Sequence, residues 1–226
     1  MTNGLTIVYY TANRQDPEFE KRICAELVVA ANGQQIVSVS QKPMDLGVNI
    51  VVGDVGVSMA NMLRQMLIGC VTAATDWVGF AESDCLYPAY GHFDYRGPKL
   101  DMCYCSDQMW VLKKWKDGFY KKNHDQWAYI AGRDYMIKKL RHRLRFLDQI
   151  WKDGVEHGKP SKTNLKYLFF SKHKWEYFKA GNACVHIKRG EGSMYKDTPT
   201  IEDIEPAQSL PYWGRADELK GRFLGD

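Results

Sequence analysis

Residues 5–40 switch between two hydrophobic periods, and that switch constrains the fold more than any other feature of the chain. Leu5-Thr6-Ile7-Val8-Tyr9-Tyr10 has the β-branched and aromatic content of a buried strand. Thr11 to Arg14 leave it. Asp16 then offers a side-chain cap, Pro17 suits a first helical turn and Glu18 follows, so a helix is expected to about residue 31, stopped by Asn32-Gly33. Residues 35–40 form a second strand. Strand, helix, strand with short links is a βαβ unit, which brings parallel neighbours together in an α/β sheet.

The rest of the chain extends this pattern. Residues 41–54, punctuated by glycine and proline, read as a loop. Met59, Met62, Leu63, Met66, Leu67 and Val71 form a helical stripe over 57–74. Residues 76–81 are another buried strand, closing on Glu82-Ser83-Asp84. Tyr87-Pro88 turns the chain, and 90–95 continues outward. Strands are expected at 100–105, 108–113, 165–170 and 183–187, and a long basic amphipathic helix from Asp134 to about residue 149. The tail from Thr198 carries Pro199, Pro206 and Pro211 and is expected to wrap the surface. At 226 residues the chain suits one α/β domain with a tail, 1–197 followed by 198–226.

No run of about 18 apolar residues is present, and the N-terminal residues lack the pattern of a secretory signal. A cytoplasmic location is the expectation, a host cytoplasm for a phage-encoded chain. Six cysteines are scattered without a CxxC pair, which argues against a zinc ribbon and for thiols packed as small apolar groups. Cys103-Tyr104-Cys105 alternates as a strand does, pointing both thiols to one face. Net charge is only +4, but it is unevenly spread. Residues 113–179 hold 18 basic and 7 acidic side chains against 7 and 12 in residues 1–112. A local field of that size favours a polyanionic partner, while solvated helix faces are the plainer reading.

An apolar strand ending in acid-x-acid delivers two carboxylates to the carboxyl edge of a sheet, where ligands of open α/β sheets bind. Alternation turns Glu82 and Asp84 to one side. Hard carboxylate oxygens suit Mg²⁺ or Mn²⁺, and such ions commonly bridge to substrate phosphates. As a bare tripeptide the motif also fits a surface loop; its place after a hydrophobic strand is what gives it weight.

Phe80-Ala81-Glu82-Ser83-Asp84-Cys85-Leu86-Tyr87-Pro88 resembles the acidic motif of GT-A glycosyltransferases. The first strand ending Tyr10-Thr11 and the Met59-Ala60-Asn61-Met62 helix stand in matching order. Cys184-Val185-His186-Ile187-Lys188-Arg189-Gly190 is similar to the segment that returns a histidine to the metal. The resemblance implies a Rossmann-like mixed sheet flanked by helices, with 1–105 as the nucleotide-sugar half and 106–197 as the acceptor half. It implies Asp84 as metal ligand, Glu82 as a contact to ribose or metal-bound water, and His186 as the third protein contact to Mn²⁺ or Mg²⁺. Thr11, Ala12 and Asn13 would hold the nucleotide base, Arg14 the base or a phosphate, and Ser83 would join the donor contacts. Ser58 and Asn61 open a helix whose amides would face the nucleotide, although Ser58 also reads as a simple cap. Lys188 and Arg189 would neutralise the diphosphate.

An inverting transferase needs a carboxylate to take the acceptor proton. Asp134, at a helix start, is the first nominee, with Asp107 and Asp125 in reserve; a helix N-terminal acid is the structural alternative for Asp134. Lys113, Lys114, Lys116, Lys121 and Lys122 interleave with Trp110, Trp115, Phe119 and Tyr120, a mixture suited to an anionic acceptor. One acceptor of that kind is a hydroxymethylated pyrimidine in DNA, as for phage DNA-modifying enzymes; a lipid-linked or anionic glycan is another. The donor expected is a nucleotide-diphosphate sugar, a UDP-sugar first. Two other classes stay open: an Mg²⁺-dependent nucleotidyltransferase, for which the glycine-rich basic loop after the first strand is missing, and a non-catalytic nucleic-acid-binding protein.

Overall fold

A strand buried along its whole length needs cover on both faces, and β1 (Leu5–Thr11) is such a strand. In the computed structural model, which describes residues 4–122, 128–152, 174–190 and 204–225, alternation divides β1 between two apolar clusters. Leu5, Ile7 and Tyr9 pack with Leu27, Ala30 and Ala31 of α1 (Pro17–Ala31). Val8 and Tyr10 pack with Leu63, Met66 and Cys70 of α2 (Met59–Thr72) and with Met136, Leu140, Leu144 and Leu147 of α3 (Arg133–Lys152). The result is a three-layer α/β domain with helices on both faces of a mixed sheet.

The capping signals act as read. Asp16 accepts a hydrogen bond from the Phe19 N–H at 2.9 Å, Pro17 fills the first turn, and Asn32 closes α1 in the left-handed region at φ 48°. β2 (Gln35–Ser40) then pairs parallel to β1, Thr11 opposite Ser40. β4 (Trp77–Glu82) pairs parallel on the other side of β1, with Tyr10 opposite Glu82. β3 (Val48–Val51), β2, β1 and β4 thus run in one direction and end on one edge. β9 (Tyr129–Gly132) inserts antiparallel between β4 and β6 (Cys103–Ser106), and β10 (Trp175–Phe178) pairs parallel to β6.

A second sheet has the order β5 (Cys85–Leu86), β11 (Cys184–Lys188), β7 (Met109–Lys113) and β8 (Phe119–Lys121). Leu86, Val185, Ile187, Leu112 and Phe119 form one of its faces, packed on Phe19 and Ile23 of α1.

The short strands β5, β8, β9 and β10 have no counterpart in the sequence reading, and three further elements depart from it. The segment 41–54 contains β3, a four-residue edge strand too short and too exposed to leave a period. Gly47, at φ 58°, brings the chain into it; a side chain there would meet the Ile36 carbonyl oxygen at 2.2 Å. Asn49 Nδ2 ties it to the Ser38 and Ser40 hydroxyls, each at 2.9 Å. The strand in 100–105 is only Cys103–Ser106. The tail is not merely a wrap: β12 (Ser209–Leu210), β13 (Gly214–Arg215) and α4 (Ala216–Leu224) follow its prolines. Ala216, Leu219 and Phe223 carry helical spacing that the proline-rich approach obscured, and they join the cluster beneath the second sheet. The strand expected at 165–170, like Asp125, lies outside the described residues.

Cys103 and Cys105 do share a face, both buried in the cluster between sheet, α2 and α3. Burial raises the Cys103 thiol to about 12, and the half-buried Cys24 to about 11. Two outcomes are expected. Native protein at pH 8 shows almost no reaction with a thiol reagent over minutes, Cys24 being the first to label, whereas denatured protein titrates six thiols. Leu219→Ala costs roughly 2–5 kcal/mol in urea unfolding, the cost of a core leucine; a loss below about 1 kcal/mol means that α4 is not part of the core.

Candidate functional site

The chain passes from the large sheet to the small one through Ser83-Asp84, the turn between β4 and β5. This puts Glu82 at the end of one sheet and Asp84 at the start of the other. β11 pairs antiparallel with β5, His186 opposite Cys85, and the Ile187 N–H donates to the Asp84 carbonyl at 2.8 Å. That pairing brings a residue more than a hundred positions away against both acids. His186 Nδ1 lies 3.7 Å from Glu82 Oε2 and 3.9 Å from Asp84 Oδ1. One ligand atom from each of the three lies within 4.8 Å of the others.

Each carboxylate commits one oxygen to a protein donor and turns the other towards the imidazole. Tyr10 donates its hydroxyl to Glu82 Oε1 at 3.3 Å, and Lys188 donates to Asp84 Oδ2 at 2.7 Å. The Glu82 backbone N–H donates to the hydroxyl of the buried Tyr87 at 3.1 Å, fixing the strand end. His186 is 2% exposed, the two acids 20% and 19%. Burial works to raise the Asp84 pKa, but the Lys188 ammonium, then His186 and Lys122, outweigh it and hold the carboxyl below its ordinary value. Burial likewise opposes the charge on Lys188, and Asp84 more than restores it, pushing that pKa up.

The donor set fits a divalent ion. Ligands at about 2.1 Å from a common centre stand roughly 3–4.2 Å apart; the two separations from His186 Nδ1, 3.7 and 3.9 Å, fall in that range, and all three atoms lie within 4.8 Å of one another. Two carboxylate oxygens suit Mg²⁺ and Mn²⁺ alike, and the imidazole nitrogen tilts the set towards the transition metal.

Alternation along β11 decides the fate of its basic residues. Lys188 shares the face of His186 and reaches Asp84. Arg189 does not come to the acids: past the strand end it turns to the α1 side, with its guanidinium 4.9 Å from the Phe19 ring centroid. A cation the sequence reading had left to the acceptor surface takes that place. Lys122, just after β8, sets its Nζ 3.4 Å from His186 Nε2. The cross-strand register was the missing signal, since nothing in the sequence joins 122 to 186.

The residues nominated around the nucleotide, Thr11 to Arg14 after β1 and Ser58 and Asn61 at the start of α2, are held mainly by neighbouring backbone and by Glu20. Thr11 donates to the buried Glu20, as does Tyr9 at 2.9 Å. Asn13, at φ 49°, accepts at Oδ1 from the N–H groups of Gln41 and Lys42 at 2.9 and 2.8 Å, clipping the end of β1 to the end of β2. Ala12 is half-buried and Arg14 exposed. A cavity of about 540 Å³ opens beside Asn13 between α1 and residues 42–46. Ser58 caps α2, accepting from the Asn61 N–H at 3.1 Å, and the Asn61 side chain donates to the Val55 and Gly56 carbonyls. Glu20 went unnoticed in the sequence, where it reads as one more first-turn acid.

The two acids nominated from the sequence as proton acceptors differ in placement. Asp107 follows β6, whose direction matches that of β4, so it stands on the edge of Glu82; its Oδ1 accepts from the Ala180 N–H at 3.0 Å. Asp134 is not brought to the acids. β9 runs antiparallel to β4 with Gly132 opposite Trp77, which leaves Asp134 beyond the far end of the strand, whose own span from Trp77 to Glu82 is already roughly 17 Å at about 3.3 Å per residue. It is largely exposed and paired with Arg133 at 3.0 Å, the arrangement of a first-turn helix acid.

No protein-family model matches the chain, and no curated sequence matches it. Among solved structures, the apo form of the glycosyltransferase GlyE of Streptococcus pneumoniae is similar over 76% of this chain at 10% identity and a TM-score of 0.42. The chain spans 45% of the length of that protein. A glycosyltransferase involved in glycosylating the major capsid of PBCV-1 is similar over 81% of this chain and 93% of its own, at 7% identity and a TM-score of 0.46. A nucleotidyl transferase from Methanothermobacter covers 79% of this chain and 88% of its own, at 13% identity and a TM-score of 0.40.

The Asp84–Lys188 pair makes a pH prediction. A carboxyl with a lowered folded pKa contributes stability that is present above its unfolded value and is lost as pH falls through the folded one. Lys188→Met removes the cation that outweighs burial. The Asp84 carboxyl resonance is then expected to titrate at higher pH than in the parent protein; an unmoved titration means that the pair does not set it.

Proposed function

We propose that this chain is a metal-dependent glycosyltransferase that moves a sugar from a nucleotide-diphosphate sugar, a UDP-sugar first, to an anionic acceptor. The observation that carries the reading is the convergence of Glu82 Oε2, Asp84 Oδ1 and His186 Nδ1 at the carboxyl edge of parallel strands, the edge at which α/β sheets bind nucleotides. The resemblance of 80–88 and 184–190 to the GT-A motifs points the same way.

In this reading Glu82, Asp84 and His186 hold Mn²⁺ or Mg²⁺. When bound, such an ion would supply positive charge for the diphosphate leaving group. Lys188, kept cationic by Asp84, and Lys122 add positive charge beside that leaving group. The cavity beside Asn13 falls within the range of small-ligand sites, and we assign the base-binding end of the donor to that neighbourhood, with Thr11, Ala12 and Arg14. For an inverting reaction we assign the acceptor proton to Asp107 in preference to Asp134. No described helix is long and apolar enough to cross a membrane, and the proposal needs none.

The test is a thermal-shift and calorimetric panel of nucleoside diphosphates and nucleotide sugars with and without Mn²⁺. A matched donor at about a hundred times its Kd should add roughly 2.7 kcal/mol of apparent stability, and only with metal. Asp84→Ala and His186→Ala should abolish that gain while remaining folded, Asp107→Asn should lower turnover more than binding, and Asp134→Asn should leave both unchanged. Pyrophosphate released from a nucleoside triphosphate would point to nucleotidyl transfer instead.

A further inference from the structure

The described basic residues of 113–179 do not form one surface. Those around β7 and β8 lie on the second sheet; on α3, Arg143 is buried near Tyr129 and Cys103, while Lys138, Arg141 and Arg145 lie on the helix's outer side. α3 is amphipathic in the ordinary sense on its inner face, where Met136, Leu140, Leu144 and Leu147 pack against α2 and the sheet. Its outer face carries Lys138, Arg141 and Arg145 at intervals of three and four residues, one stripe of the helix. Together with Arg133, Ile137 and Val71 at the end of α2 they line a surface groove of about 520 Å³.

Among the described residues the charge of this groove is largely uncompensated. Its one acid, Asp134, is already paired with Arg133 at 3.0 Å. Lys138, Arg141 and Arg145 have no carboxylate partner among the described residues; the Arg145 side chain reaches only the Arg141 carbonyl, at 3.4 Å. Like charges at these spacings repel and destabilise the helix that carries them. Stability of the isolated chain therefore gives no reason for the stripe.

We propose that the groove between α2 and α3 docks the phosphodiester backbone of a nucleic acid. At 1.5 Å rise per residue the stripe from Lys138 to Arg145 is about 10.5 Å long. Each strand of a duplex carries a charge about every 3.4 Å of its axis, so a stripe of that length spans about three phosphates in any register. Two of the three cations are arginines, whose planar fork matches a phosphate with two parallel hydrogen bonds. A membrane is the poorer fit. A helix that lies in a bilayer surface must bury its apolar face among the lipids, and the apolar face of α3 is already in the core. The groove is concave, and Val71 and Ile137 are its apolar members. Contact is with backbone charge alone, which makes the docking independent of sequence.

The groove is separate from the acid cluster. The Arg133 N–H donates to the Asp76 carbonyl at 2.8 Å, at the start of β4, the opposite end from Glu82. The proposal stands whether or not the cluster transfers a sugar, and its test is independent of that chemistry. Binding of a fluorescein-labelled 20-base-pair duplex by the full chain is measured by anisotropy from 50 to 200 mM salt, beside co-sedimentation with vesicles containing 30% phosphatidylserine. The combined variant Lys138→Gln, Arg141→Gln, Arg145→Gln is compared with the parent.

The parent should bind DNA with a steep salt slope. The variant should lose about 0.9 of that slope per phosphate contact removed, close to 3 in all, and at least ~10-fold in affinity at 50 mM salt. Its melting temperature should equal or exceed that of the parent, because the repulsion is relieved; its response to Mn²⁺ and nucleotides should be unchanged. The proposal is overturned when the parent does not bind DNA at 50 mM salt, when the variant binds with the parent's affinity and slope, or when the variant loses vesicles and keeps DNA.

Discussion

The two antiparallel pairings of β5 with β11 hold the rest of the site together. They are short, Val185 with Leu86 and His186 with Cys85, and are reinforced by the hydrogen bond from Ile187 to Asp84. Without them Asp84 would end a loop. With them the end of the large sheet becomes the beginning of the small one, and a histidine from late in the chain faces two acids from its first half. Backbone bonds inside buried surroundings supply a rigidity that two neighbouring carboxylates, which repel each other, could not. The small sheet is in turn seated by apolar contact with α1 and α4, so the geometry of the acids depends on leucine and phenylalanine packing behind them.

The sequence made the N-terminal half of the fold legible because that half is local. β1, α1, β2, α2 and β4 each announce themselves by period, cap or breaker within a dozen residues, and acid-x-acid after a buried strand points to a sheet edge. What it could not show depends on register. Whether Lys188 or Arg189 reaches the acids is a matter of which face of β11 is turned inward. Whether Lys122 approaches His186 depends on how β8 is aligned two strands away from β11. Asp134 was persuasive as a helix-start acid, but the direction of β9, which no local signal carries, puts that helix start at the wrong end of β4. β3 and α4 were hidden for a simpler reason: a four-residue edge strand and a nine-residue helix after prolines are too short to establish a period.

The charge map is similarly resolved by topology. A net of +11 over residues 113–179 reads as one field in the sequence. Folding divides it, because β9 crosses the sheet between the lysines of β8 and the arginines of α3. Lys113 and Lys116 lie 5.5 and 5.4 Å from the Tyr120 ring centroid on the small sheet, where cation–π attraction restrains them. Those of α3 stand on a helix whose other face is committed to the core.

The hydrogen bonds from Tyr10 and Lys188 have a further consequence, for ion selection. With Glu82 Oε1 and Asp84 Oδ2 engaged, each carboxylate can offer an ion a single oxygen. Were an ion held by Glu82, Asp84 and His186, as proposed, each would supply one donor atom, a set suited to a small divalent ion. Calcium, which takes six to eight oxygens and often chelates carboxylates, would be the poorer match. A tyrosine and a lysine that touch no ion would thus disfavour calcium, by limiting the denticity of the acids.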